Sequence, residues 1–343
     1  MTAVRSYTDF GSLEEIVLGT ASGYHLPPVD VSFRHFFGFG PDEPARPEDA
    51  AALARAVAET EEDLAAFAGV LAAAGVTVRR PEPVDHSRAI ALPGWRTTAN
   101  HALMPRDCLL VVGDTVIEAP MPVRSRYAET FPLRRLLAEW FESGARWVAA
   151  PRPQLSDDTY RCPDGRPLLA EREPLFDAAN VLRCGTDLFY NVSNTGNRLG
   201  ARWLARLLGP PFRVHEIGVC DDHIGTTLQM LRPGVLLANA GRLDDDLIPE
   251  QLRGWKTIWF EEPEDDGHAL SWPRASVWIG MNVVSLDEET VVVPAGQTGL
   301  ARLLEKEGFT AAPVPYRHGR TFGGGFHCCS LDVRRRDEAV SYL

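Results

Sequence analysis

The feature that most constrains the fold is a pattern that recurs along the chain: a short apolar run, a turn rich in glycine or acidic residues, and a second apolar run. The pattern is sharp at residues 108–120, 179–192 and 282–296, and weaker at residues 226–240. Two apolar runs joined by such a turn are typical of a β-hairpin. The chain is therefore expected to contain several hairpins of the same kind.

Each sharp hairpin is followed by a segment with helical spacing and then by a short strand. These helices are predicted at residues 133–144, 197–209 and 298–308. A weaker N-terminal copy of the pattern has a long predicted helix at residues 51–75. Its apolar residues near helical spacing are Leu53, Val57, Leu64, Phe67 and Leu71.

Together these segments make about five ββαβ units, with a period far longer than that of common solenoid repeats. We predict an α/β fold in which the units surround an axis as a closed ring, within one domain spanning residues 1–343. The last segment, Phe326 to Arg334, would supply the strand that closes the ring. An ordinary mixed α/β sheet remains an alternative interpretation of the same pattern.

The charge balance excludes two classes of partner. Asp and Glu outnumber Lys and Arg by 47 to 35, which gives a formal net charge of -12. This charge repels nucleic-acid phosphates and anionic membranes. The N-terminal sequence meets acidic residues before any apolar run long enough for a signal peptide, and no segment approaches the roughly 18 apolar residues of a membrane span. A cytoplasmic location is therefore expected.

The cysteines are few and scattered, at positions 108, 162, 184, 220, 328 and 329, as expected for free thiols in a reducing compartment. The last two lie in "GGGFHCCSLD", where three glycines allow a tight turn or a close approach to a ligand. This segment could carry a nucleophile, a metal site, a vicinal disulfide or a loop entering a strand. Zinc is disfavoured because the sequence has no Cys-x-x-Cys or His-x-x-x-His spacing. Neighbours on a strand point to opposite faces, so at most one of the two cysteines faces a given site.

Residues at the same phase of each unit should meet at the centre of a ring. Just before the first strand of each unit the sequence places Asp107, Asp177, His223, Asn282, and His327 with Cys328. A cysteine with a histidine and an aspartate is a nucleophile constellation, in which the imidazole moves protons and the carboxylate orients it. Two carboxylates beside a thiol favour a cationic substrate, and a guanidinium matches paired carboxylates through bidentate hydrogen bonds.

Four motifs together resemble the glycine amidinotransferase and inosamine-phosphate amidinotransferase family, and the bacterial aminocyclitol-antibiotic type most of all. They are "MPRDCLLVVGDTVIEAPMPVRSR", "EPLFDAANVLRCGTDLF", "GMNVVSLDEETVVV" and "GGGFHCCSLDVRR", and the similarity runs from about residue 95 to the C-terminus. The resemblance implies a five-bladed α/β-propeller with a central active site, and homodimers are common in the family. It also implies transfer of an amidino group from L-arginine to an amine, through an amidino-cysteine and without a cofactor or metal.

The resemblance also implies roles for individual residues. Cys328 would be the nucleophile, His223 the general acid and base, and Asp177 the residue that orients His223. Asp107 would hold the guanidinium of the donor, and Arg242 in "NAGR" would hold its carboxylate. Further expected substrate contacts are Arg126, Asn282, His327 and Gly280, the last at a position where relatives often carry serine.

One position departs from the family pattern. The family has His-x-Asp, whose aspartate is a second ligand of the guanidinium, but this chain has Gly225 two residues after His223. The change could alter the donor or acceptor, make room for a bulkier acceptor such as an aminocyclitol phosphate, or accompany lost activity. Two alternative functions therefore stay open: a guanidine-modifying hydrolase, and a non-catalytic binding protein.

Overall fold

The computed structural model describes residues 3–38, 48–160 and 167–343. Its strands are β1 (Ser12–Leu18), β2 (Thr77–Arg79), β3 (Ala89–Leu92), β4 (Trp95–Thr98), β5 (Leu109–Val112), β6 (Thr115–Glu118), β7 (Arg146–Ala149), β8 (Val181–Cys184), β9 (Asp187–Asn191), β10 (Arg213–Ile217), β11 (Leu228–Arg232), β12 (Val235–Asn239), β13 (Lys256–Phe260), β14 (Val284–Ser285), β15 (Thr290–Pro294), β16 (Thr310–Val314) and β17 (Ser330–Arg336). Its α-helices are α1 (Val31–Phe37), α2 (Ala50–Ala73), α3 (Pro105–Cys108), α4 (Arg134–Glu142), α5 (Arg198–Leu208), α6 (Thr298–Lys306) and α7 (Gly319–Phe322).

Five sheets in the described residues share one topology. In each, a central strand pairs antiparallel with one neighbour and parallel with the other. Sheet I contains β17, β1 and β2, and sheets II to V contain β5 to β7, β8 to β10, β11 to β13 and β14 to β16. The predicted α/β class and the repeated unit are therefore confirmed. The separate hairpin of β3 and β4 was not predicted.

Helices complete four of the units. α2, α4, α5 and α6 each link the central strand of a sheet to its parallel neighbour, as the helical spacing predicted. In sheet IV the link between β12 and β13 contains a short 3₁₀ turn at Glu250–Leu252 in place of an α-helix, which agrees with the weaker pattern there. Gly113 and Gly185 adopt φ values of 60° and 70° at the hairpin turns, a region that favours glycine.

Apolar clusters join each sheet to the next and join sheet V back to sheet I. This cyclic order is the arrangement that a five-bladed propeller requires, and the alternative of one open mixed sheet is wrong. Representative residue pairs within one cluster are Val17 and Val116 for sheets I and II, Leu110 and Val181 for II and III, Phe189 and Leu236 for III and IV, Leu237 and Val291 for IV and V, and Val292 and Ile16 for V and I.

Strand β17 closes the cycle by pairing with β1. The prediction placed this strand from Phe326, but residues 326–329 form a turn and the strand begins at Ser330. Within β17, Asp332 is fully buried and bonded to Arg106, to Arg183 at 2.5 Å and to Arg335 at 2.6 Å. Burial raises the pKa of Asp332, but the three guanidinium groups outweigh this effect and hold it well below its usual range. The segment that follows Cys328 is thus anchored by buried charge.

None of the helices in the described residues has the length and apolar content needed to cross a membrane. The five described cysteines, which do not include Cys162 in the undescribed part of the chain, carry free thiols.

Candidate active site

The structure brings together the residues that the repeat phase singled out. Asp107 lies in α3 just before β5, and His223 precedes the 3₁₀ turn Ile224–Thr226 that leads into β11. Cys328 lies two residues before β17. The side-chain oxygen, nitrogen and sulfur atoms of these three residues all lie within 4.8 Å of one another. Three sheets of the ring therefore contribute to one cluster.

His223 is hydrogen-bonded to one carboxylate through a ring nitrogen and lies near a second carboxylate with the other. Its Nε2 lies 2.7 Å from Oδ2 of Asp177, and its Nδ1 lies 3.9 Å from Oδ1 of Asp107. Burial lowers the pKa of His223, but Asp107, Asp177 and Cys328 outweigh burial and raise it well above the usual value. The imidazole is therefore set up as a cation that can donate a proton.

The two carboxylates also have free acceptor capacity. Oδ2 of Asp107 accepts a hydrogen bond of 2.8 Å from Arg126, whose other nitrogens bond Glu129 at 2.5 and 2.8 Å. Within the described part of the chain, Oδ1 of Asp107 and Oδ1 of Asp177 are buried and have no hydrogen-bond partner. Buried acceptors without partners need an explanation, and a substrate with several N–H groups supplies one. Arg126, which is expected to contact substrate, uses its guanidinium to hold Asp107 and Glu129.

The three glycines before Cys328 are each required by the local geometry. Gly323 has a φ of 82°, and a Cβ on Gly324 would collide with Met104. A Cβ on Gly325 would lie 2.7 Å from Cβ of Asn282. The turn therefore passes closer to its neighbours than any other residue type would allow, and it delivers Cys328 to the cluster.

Only one of the two neighbouring cysteines faces the site. Cys328 lines the cavity above His223, and its backbone N–H donates to Oδ1 of Asn282 at 3.0 Å. Cys329 points into the apolar core, where burial raises its pKa to about 12. Asn282, expected to contact substrate, thus fixes the backbone of the candidate nucleophile.

A cavity of about 320 Å³ opens onto Cys328 and His223. Its walls include Phe36 and Phe37 from α1, and the Phe36 ring lies 5.6 Å from the His223 ring. This contribution of α1 was not predicted from the sequence. The only signal in the sequence was the pair of adjacent phenylalanines in "RHFF". Such a pair is as common in an apolar core as in the wall of a binding site.

Three other residues that were predicted to contact substrate either lie away from the cluster or interact with other side chains of the protein. Arg242 is bonded to the carboxylate of Asp222 at 2.9 and 3.2 Å. A Cβ on Gly280 would collide with the Gln297 side chain, so the missing side chain there makes room for Gln297. His327 lies 3.9 Å from Asp9 beneath the cluster, where burial and the charge of Arg106 lower its pKa.

Gly225 borders the cluster on the side of Asn282. A Cβ at this position would lie 2.6 Å from Nδ2 of Asn282, which is buried and has no partner among the described residues. The Asn282 amide therefore occupies the space that a side chain at position 225 would need.

Asp107, His223 and Cys328 are also close enough that they could hold a metal ion. Spacing rules could not have found this set, because its members come from three distant parts of the chain. The same three atoms are the candidate guanidinium ligand, acid and nucleophile, so a metal bound there would compete with the chemistry proposed below.

The comparisons with known proteins agree with this geometry. No protein-family model matches the chain. Inosamine-phosphate amidinotransferase 1 of Streptomyces griseus is 45% identical over 340 residues, covering 98% of both proteins. L-arginine:L-lysine amidinotransferase of Pseudomonas savastanoi pv. phaseolicola is 38% identical over 360 residues, covering 99% of this chain and 96% of that protein.

The solved structure of an inosamine-phosphate amidinotransferase from Streptomyces griseus superposes with a TM-score of 0.94 at 43% identity, covering 100% of this chain and 99% of that one. Identity at this level over the whole chain exceeds what a shared fold alone would produce. The chain therefore belongs to the family of glycine and inosamine-phosphate amidinotransferases.

Proposed function

We propose that this enzyme transfers an amidino group from L-arginine to the amino group of an inosamine phosphate, through an amidino group carried on Cys328. The observation that supports this most directly is the thiol that lines the cavity beside His223, whose pKa its neighbours raise, and beside two carboxylates with unpaired oxygens. A guanidinium is planar and cationic, and its N–H groups suit those acceptors.

In the first half-reaction the Cys328 thiolate attacks the central carbon of the guanidinium, forming a C–S bond. The imidazolium of His223 then gives its proton to the substituted nitrogen as the C–N bond breaks. Ornithine leaves, and the amidino group remains on sulfur as a cation next to Asp107. Asp177 keeps the imidazole oriented throughout.

In the second half-reaction the acceptor amine attacks the same carbon and gives a proton to the neutral His223. The C–S bond breaks, the thiolate is restored and the new guanidine leaves. Because ornithine must leave before the acceptor reacts, ping-pong kinetics are expected.

Incubation with arginine, followed by intact-mass measurement, tests the covalent step. An amidino adduct is expected with the wild type and with Cys329→Ala, and not with Cys328→Ala. The absence of an adduct with arginine would refute transfer from that donor, and its absence with every guanidine tried would favour the binding protein.

Product analysis separates transfer from hydrolysis. Transfer predicts that catalytic ornithine release depends on the acceptor amine. Urea and ornithine formed without an acceptor would instead identify a hydrolase in which water resolves the amidino adduct. Citrulline and ammonia formed without an acceptor would identify a hydrolase in which ammonia leaves first and water resolves the alkylated adduct that remains on sulfur.

The remaining features of the proposal follow from the same family membership. The substrates are small molecules, and the product suits the biosynthesis of an aminocyclitol antibiotic. We further propose that residues 1–343 form one domain that works in the cytoplasm, as a homodimer, without nucleic-acid or membrane partners.

A further inference from the structure

Two arginines line the cavity that contains Cys328, and nothing in the reaction described above uses them. They are Arg274 and Arg320, the latter in α7. The backbone N–H of Arg274 donates to the carbonyl oxygen of Arg320 at 2.7 Å. The two residues are therefore fixed side by side in one wall.

Arg274 is a buried cation with an unused donor. Its side chain is 2% exposed, its Nη1 donates to the carbonyl oxygen of Thr321 at 3.0 Å, and its Nη2 lies 3.4 Å from Glu48. Its Nε is buried and, among the described residues, has no hydrogen-bond partner. A buried guanidinium with an unpaired N–H is a site where a ligand can supply the missing acceptor.

Arg320 is held less tightly. Its Nη1 bonds Asp265, whose side chain is 59% exposed, and its Nε reaches the carbonyl oxygen of Ala275 at 3.4 Å. In the part of the chain that the structure describes, no acceptor bonds its Nη2. An ion pair with an exposed carboxylate is worth little, so an incoming anion can replace Asp265 at small cost.

The third arginine of this region belongs to a different branch of the site. Arg242 and its partner Asp222 line a second cavity of about 470 Å³. The two cavities share Phe36, Phe37 and Asp222 as their common wall. The two cavities are thus two branches on either side of this shared wall, each containing arginine, and the first of them contains Cys328 and His223.

We propose that Arg274 and Arg320 form a phosphate subsite that binds the phosphate group of the acceptor. This inference rests on the proposed function, because it assigns one branch to the acceptor and leaves the Arg242 branch for the carboxylate of the donor. In a chain with a net charge of -12, a dianionic substrate needs such a local positive surface to bind. Paired guanidinium groups match phosphate oxygens through charge-assisted hydrogen bonds.

The test compares an inosamine phosphate with the unphosphorylated inosamine as acceptors, at saturating arginine, in Arg320→Gln. The matched control is Arg302→Gln, which removes an exposed arginine of α6. We expect Arg320→Gln to raise the KM of the phosphorylated acceptor about 10- to 100-fold. The KM of the unphosphorylated acceptor and the rate of adduct formation from arginine should match those of the control.

A second variant works in the opposite direction and does not depend on a loss of function. Asp265→Asn removes the carboxylate that competes for Arg320, so it should lower the KM of the phosphorylated acceptor several-fold. Inorganic phosphate should inhibit the wild type competitively with the acceptor, and Arg320→Gln should be insensitive to it.

Three results would overturn the inference: no preference of the wild type for the phosphorylated acceptor, equal kinetics of Arg320→Gln and Arg302→Gln, or a loss confined to adduct formation from arginine. The last result would place the donor carboxylate at Arg320. A wild type that forms no adduct and transfers no amidino group would instead refute the proposed function itself.

Discussion

Replacement of Gly225 by alanine is expected to slow adduct formation, although glycine contributes no functional group. The new Cβ would lie 2.6 Å from Nδ2 of Asn282, whereas real contacts of this kind are not shorter than 3.0 Å. Asn282 must then move by at least about 0.4 Å, because this contact distance cannot be compressed. Its retreat is limited by close packing against Gly325, where a Cβ would lie only 2.7 Å from Cβ of Asn282.

The displacement acts on the nucleophile through one hydrogen bond. Oδ1 of Asn282 accepts the N–H of Cys328 at 3.0 Å, and a shift of this size along the bond would take it beyond the usual upper limit of about 3.2 Å. Weakening a buried hydrogen bond costs about 0.5 to 1.5 kcal/mol, and an unpaired buried N–H costs about 1 to 3 kcal/mol. Since about 1.4 kcal/mol corresponds to tenfold in rate, we expect adduct formation to slow by about 10-fold.

The assay is single-turnover formation of the amidino adduct at saturating arginine, followed by rapid quenching and mass measurement. The control is Gly254→Ala, because a Cβ at position 254 meets no atom within 4 Å and the residue does not have a positive φ. Comparable melting temperatures would exclude a general loss of folding. If Gly225→Ala matched Gly254→Ala in rate, the argument that Asn282 positions Cys328 would be wrong.

Three further substitutions test other parts of the site and the ring. Gly225→Asp should change the donor preference or narrow the acceptor range, if glycine at this position is an adaptation; kinetics identical to wild type for all donors and acceptors would contradict this. Asp177→Asn removes a carboxylate that raises the pKa of His223, so proton donation should be lost at a lower pH than in wild type. The alkaline limb of the pH profile of adduct formation should therefore shift to lower pH. An unshifted limb would contradict the conclusion that Asp177 raises the pKa of His223. Asp332→Asn removes one of the two buried carboxylates that balance Arg183 and Arg106, the other being Asp9, so urea unfolding should show a loss of about 3 to 5 kcal/mol; an unchanged midpoint would mean that the contacts of Asp332 contribute nothing to stability.

The repeat and the cluster at its centre were predictable because both leave local signals. Hairpin turns have glycine or acidic residues at fixed places between apolar runs, and the cyclic packing brings residues of equal phase together. Asp107, His223 and Cys328 could therefore be grouped from their position alone, before any distance was known. The start of β17 was placed four residues early because the turn through Phe326 and Cys329 is as apolar as a strand.

The bonding partners of individual arginines were not predictable from the sequence, because they lie on loops that approach each other only in three dimensions. Arg126 bonds Glu129 and Asp107, and Arg242 bonds Asp222, so neither guanidinium is simply open to substrate. Arg320 has no motif that marks it in the sequence. Its position in the cavity wall follows from the short helix α7, which the sequence analysis did not identify.

The pairing of β17 with β1 has a consequence for when activity can first appear. Cys328 reaches the cluster only through the turn that leads into β17, and β17 is held by a strand near the opposite end of the chain. During synthesis, His223 and both carboxylates emerge from the ribosome long before the thiol does. A chain made only as far as His223 therefore contains the proposed acid and the proposed cation-binding groups but lacks the proposed nucleophile, and the proposed adduct can form only after β17 has paired with β1.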